Sequence, residues 1–201
     1  MKGVKNIGLL IVLGLVLILG IWGCSGYNGL VKQDEAVKKS WSNVETEYQK
    51  RADLTDQLVK TVQGAADFER NTLQDVIEAR AKATGINVSA DNLTPENIAR
   101  FQEAQGELTG ALNRLMVVVE RYPDLKANQN FLNLQTSLEQ MANGISSAQR
   151  NFNEAVNAYN VKVRSFPTNL FAGMFGFKSR EGFKAEEGAN KAPDVNFDFS
   201  K

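Results

Sequence analysis

The chain has 201 residues, with 23 basic and 23 acidic side chains, no histidine and one cysteine, a size that fits one ordinary domain plus an attached segment. Zero net charge without a basic stripe gives no electrostatic grip on nucleic acid, so no nucleic-acid partner is expected. The missing histidine removes the commonest general base and metal ligand, and a lone cysteine makes neither an internal disulfide nor a thiolate metal site.

The N-terminus carries Lys2 and Lys5, and Ile7 to Gly23 then runs without a charge. At 1.5 Å per residue this run reaches roughly 25 Å, close to the lower limit for crossing a hydrocarbon core. Trp22 and Tyr27 fall where interfacial aromatics belong in a spanning helix. The run Ile21-Trp22-Gly23-Cys24-Ser25 also resembles a bacterial lipobox, which makes Cys24 a candidate lipidation site and offers a second kind of anchor. Residues 1–26 are then a membrane anchor in the first reading and a signal segment in the second. Basic residues before it hold the N-terminus in the cytoplasm and send the rest outward, although Lys32, Lys38 and Lys39 on the far side weaken that asymmetry.

Beyond Leu30 the apolar spacing is helical. Val37, Trp41, Val44 and Tyr48 predict a first helix from about Leu30 to Arg51. Leu58, Val62, Ala65, Leu73, Val76 and Arg80 predict a second from about Asp53 to Ala83, closed by Gly85 and a polar loop. Thr94-Pro95-Glu96 supplies a capping hydroxyl, a first-position proline and a first-turn acid for a third helix, which runs to Arg121 and is stopped by Pro123. Phe131 to Phe166 carry eleven apolar or small residues in unbroken steps of three and four, predicting a fourth helix of about 35 residues that ends at Pro167. Seams of this kind pack at small crossing angles, and short connections favour antiparallel neighbours. The fold expected is all-α: an antiparallel four-helix bundle behind an N-terminal transmembrane or lipoprotein-signal helix, without sheet, and with Trp41 and Phe152 in its core.

After the fourth helix, Leu170, Phe171, Met174, Phe175 and Phe177 either fold over one end of the bundle or form an exposed apolar patch. Residues 178–201 are polar and read as a mobile tail, which leaves 27–177 as the bundle.

Three runs, YNGLVKQDEAVKKSWSNVETEYQKRADL, ERYPDLKANQNFLNLQTSLE and AQRNFNEAVNAYN followed by SFP, resemble the LemA family of bacterial membrane proteins from about Tyr27 to Phe177. RADLTDQLV stands where many members show RRADLIPNLV, and Gln149-Arg150 where two arginines are common. The resemblance implies a membrane segment followed by an antiparallel helical bundle. It also implies a poorly defined role, with a relative in magnetosome membrane formation and no established catalytic residues.

Within these runs Glu120, Arg121, Tyr122, Pro123, Asp124 and Asn128 form a candidate recognition motif whose structural alternative is a helix–helix turn, with Asp124 and Asn128 capping free amides. Arg51 and Asp53 are a second such candidate. Asn153, Asn157 and Asn160 share one helix face and suggest an inter-helix hydrogen-bond ladder. No catalytic, cofactor-binding or metal-binding residue is assigned; carboxylates such as Asp53, Glu69 and Asp124 are the remaining material for an enzyme. The function expected is a membrane-anchored, extracytoplasmic scaffold or adaptor that engages other membrane or envelope proteins, with self-association as a further expectation. The alternative is a protein that organises the bilayer directly.

Overall fold

The structure, a computed structural model, describes residues 2–64 and 68–184. Among these residues it is all-α. In chain order the helices are α1 (Lys2–Gln63), α2 (Arg70–Gly85), α3 (Pro95–Val119), the single turn α4 (Pro123–Lys126), α5 (Gln129–Arg164) and the short α6 (Thr168–Met174).

The largest departure from the sequence reading is α1. The membrane segment, the expected first helix and the opening of the expected second are one helix of 62 residues, about 93 Å long. No break falls at Arg51–Asp53. Tyr48, Ala52, Thr55, Leu58 and Val62 form an uninterrupted buried stripe through that point, and Thr55, fully buried, donates its hydroxyl to Arg51 O at 2.8 Å. A hydroxyl satisfied inside its own helix packs like a small apolar group, so the seam survives where the pattern looks polar. The helix stops at Gly64 instead, and α2 begins at Arg70.

From the apolar segment α1 runs outward, α2 returns part of the way, α3 runs outward again and α5 returns along the whole bundle. Gly29 of α1 lies against Lys162 of α5, Glu47 against Gly144, and Leu58 and Val62 share a cluster with Phe131, which fixes α1 and α5 as antiparallel partners. The hairpin of α2 and α3 is shorter than this pair and covers only its distal part. That length mismatch divides the core in two. The distal cluster joins Leu58 and Val62 to Leu73 and Val76, to Leu108, Leu112 and Leu115, and to Leu125 and Phe131. The membrane-side cluster joins Leu30, Val37, Trp41 and Val44 to Phe152, Val156, Tyr159 and Val163, and is closed by the 86–94 loop and the start of α3.

Trp41 is the hub of the second cluster. It is fully buried, meets Phe101 and Phe152 edge-on at 5.4 Å, and donates from Nε1 to Val88 O at 2.8 Å. That bond fixes the loop between α2 and α3 to α1, assisted by Lys38–Asp91 at 2.7 Å. The expected capping at Thr94 is present, its hydroxyl accepting from Asn97 N at 3.2 Å.

Candidate interaction site

At the membrane end, Leu13, Leu15 to Ile18, Ile21 and Trp22 are each more than half exposed, as side chains of a lipid-facing helix are. Seven residues of α6 fold back onto this end. Ala172 and Thr168 are buried, Phe171 lies against Gly23 and Gly26 of α1, and Tyr27 meets Phe175 at 5.0 Å and Phe177 at 5.9 Å. Both readings of this segment are realised on different faces, because Phe166, Leu170 and Met174 are 61–78% exposed. Gly20, Gly23, Cys24 and Tyr27 line an apolar groove of about 540 Å³ against Phe171, Met174 and Phe175. Cys24 is exposed on α1 beside that groove.

At the opposite end, the Glu120–Asn128 segment is a structured turn. Pro123 opens α4, and Leu125 is buried as its peg. Glu120 pairs with Lys126. Arg121 pairs with Glu69 at 2.8 Å, which ties the end of α3 to the start of α2. Asn128 caps α5, its Oδ1 accepting from Asn130 N at 2.9 Å and Phe131 N at 3.3 Å. Asp124 lies in the first turn of α4, exposed. Tyr122 packs on Phe68 at 4.9 Å. A cleft of about 530 Å³ opens between this turn and the end of α1, lined by Thr61, Gly64, Arg121, Tyr122, Asp124 and Asn130 among others.

Between the two ends, Arg51 bridges α1 to α3, donating to Thr109 Oγ1 at 3.0 Å, to Gln105 O at 3.1 Å and to Gln105 Oε1. It lies over the Tyr48 ring at 4.9 Å, and burial lowers its pKa from the usual arginine value. Burial likewise raises the Tyr48 phenol. Asp53 does not join this group; it accepts from Gln49 Nε2 at 2.9 Å on the outer face of α1. Of the three carboxylates considered for chemistry, Asp53 lies on the outer face of α1, whereas Glu69, held by Arg121, and Asp124 both belong to the distal end. Among the described residues no group of three or more histidine, cysteine or acidic side chains could hold a metal ion.

The asparagine ladder is a correction. Asn153 and Asn160 do not bridge helices, and Asn157 is exposed. Each of the other two grips the backbone within residues 178–184, the opening of the segment expected to be a mobile tail. Asn160 Nδ2 donates to Arg180 O at 2.8 Å and its Oδ1 accepts from Arg180 N at 2.9 Å. Asn153 makes the same pair with Phe183, at 3.2 and 2.8 Å. The rise of the helix explains the register: seven residues of α5 span about 10.5 Å, and three extended residues span about 10 Å. Arg180 pairs with Asp34 at 2.7 Å, and Phe183 stacks on Trp41 at 5.8 Å. Residues 185–201 lie outside the described residues. The seven-residue asparagine spacing, with an arginine and a phenylalanine three apart downstream, was the available sequence signal, but a pairing over 20 to 30 positions leaves no periodicity.

Together these features define a class: an all-helical bundle whose core-forming first helix continues into an apolar segment fit to cross a membrane. The sequence profile of the LemA family matches residues 40–197, so the chain belongs to the LemA family. It is 28% identical to Magnetosome protein MamQ 2 of Paramagnetospirillum magneticum and to Magnetosome protein MamQ of Magnetospirillum gryphiswaldense, each alignment covering 84% of this chain and 68% of the relative. It is 26% identical to Protein LemA of Metamycoplasma hominis, covering 80% of this chain and 69% of that protein.

Proposed function

We propose that this chain is a membrane-anchored adaptor without chemistry of its own, which holds the Glu120–Asn128 turn at a set height above the bilayer for a membrane or envelope protein to engage. The observation that carries the reading is the continuity of α1. One helix leads from the apolar segment to Thr61 and Gly64 at the mouth of the distal cleft, so anchor and display site are rigidly linked, with a reach of about 50 Å beyond Leu30. Lys2 and Lys5 favour a cytoplasmic N-terminus and an extracytoplasmic bundle, and the apolar helix that passes through Cys24 suits either anchor, a spanning helix or a lipoprotein signal. Co-purification from gently solubilised membranes tests it. The full chain should retain a partner that Asp124→Lys loses while staying folded; recovery of the free chain alone from several detergents would count against the adaptor.

The outward face of α6 favours a second reading, in which the protein acts on the bilayer itself. Phe166, Leu170 and Met174 stand beside the level at which α1 turns apolar, where an amphipathic segment lies within the headgroup region. Leu170→Trp, in a Trp22→Phe background, should add to the emission of the buried Trp41 a component that shallow-brominated lipids in vesicles quench. Quenching only by aqueous acrylamide would remove this reading.

A further inference from the structure

The contacts of residues 177–184 are those of a receptor with its peptide. Two asparagine amides read the backbone of an extended chain without regard to side chain, at positions three apart. Specificity comes from the side chains at the same two positions. Arg180 inserts between Asp34, at 2.7 Å, and the Tyr159 ring, at 5.5 Å, and Phe183 fills the aromatic site against Trp41 and Phe152. Gly182 suits the close approach: a Cβ there would stand 2.4 Å from Asn153 Oδ1, which would have to turn aside. None of these bonds depends on the segment belonging to the same copy. Only its connection through α6 to the end of α5 makes it so, and that connection turns at Gly176, whose φ of 78° suits glycine.

We propose that the α1–α5 groove is a receptor for an extended Arg-x-x-Phe peptide, and that segment 177–184 of a second copy occupies it in trans, linking copies in the membrane. An identical segment preserves every contact, so exchange is governed by the effective concentration of the tethered segment against the density of neighbours. Copies anchored by α1 in one bilayer share an orientation and are confined to a plane, which raises that density. The proposal deepens the adaptor reading by stating how copies join. It does not involve the distal turn, so its failure leaves the Asp124→Lys test untouched.

The geometry provides its own probe. The Cβ position of residue 182 lies 3.8 Å from the Asn153 Cα, within reach of a disulfide between those positions. In a Cys24→Ser background, full chains carrying Gly182→Cys and full chains carrying Asn153→Cys are reconstituted together in liposomes and mildly oxidised. The expected result is a disulfide-linked heterodimer whose yield rises with protein-to-lipid ratio, several-fold above that from Val117→Cys mixed with Asn153→Cys. The single chain carrying both cysteines reports docking within one copy. If it cross-links internally while the mixture gives no dimer above the Val117 control, the groove serves its own chain alone and the proposal fails. If neither cross-links, the groove is not a receptor and the proposal fails as well.

Discussion

Single residues hold long-range contacts here that the helical pattern does not advertise. Gly182→Ala adds one methyl that must displace the Asn153 amide and with it both bonds to Phe183. Each such bond is worth about 1 kcal/mol, so exchange of the Phe183 amide with solvent should accelerate roughly five- to thirty-fold. Glu181→Ala, on the exposed side of the same segment, should leave it unchanged; equal rates in the two variants would mean that the clamp does not hold the segment. Trp41→Phe is the corresponding experiment on the core. A smaller aromatic ring remains in the fully buried site, and the Nε1–H donated to Val88 O is lost. A buried carbonyl left without its donor costs about 1–3 kcal/mol, which a urea denaturation series should show as a lower midpoint with an unchanged slope.

The elements differ in how openly the sequence declares them. The fourth predicted helix, α5, matches closely from Phe131 to Val163, because its apolar steps are regular and Asn128 caps its start, but the helix ends at Arg164 and Phe166, expected on the seam, is exposed. Asn128→Ala should cost about 1 kcal/mol by freeing the amides of Asn130 and Phe131, read as a lower melting temperature with an unchanged fold. α1 was misjudged for a physical reason: Thr55 interrupts the apolar count while filling an apolar site, whereas glycine at 64 supplies the real stop. Residues 177–184 were illegible for another, since an extended segment held through its backbone has no period to detect. The distal motif was legible as a turn, and its cleft was not, because Thr61 and Gly64 close it from more than fifty positions away. Continuity of α1 through the membrane boundary carries its own test. Asn28 is exposed in mid-helix, so Asn28→Pro removes one helical hydrogen bond and costs about 3 kcal/mol or more locally. In aligned bilayers, oriented circular dichroism should show the wild-type helices sharing one tilt and the variant losing that alignment. An unaltered spectrum would mean that α1 does not transmit the orientation of the anchor.

For the molecule as a whole, the absence of histidine combines with the placement of its perturbed groups to fix how stability depends on pH. On the acid side, a hydrogen bond from Lys38 holds the Asp91 carboxyl below its ordinary range, and one from Lys60 does the same for Asp56. A lowered folded pKa stabilises above the unfolded value, and that contribution disappears as pH falls through the folded one. Glu45 has the opposite sign: burial raises its pKa, so its contribution is complete below the ordinary glutamate value and fades as pH rises through the raised one. On the alkaline side, burial raises the Tyr48 and Tyr159 phenols, and the hydrogen bond to Asp91 raises Lys38. Their contributions are complete below the unfolded values and are lost as pH climbs beyond them. With no histidine in the chain, the melting temperature should change less around neutral pH than at either extreme, and Glu45→Gln should remove the part of the acid-side dependence that Glu45 supplies. A step in melting temperature near pH 7 would show that a buried group titrates there, and would restore the case for acid–base chemistry that the carboxylate positions do not make.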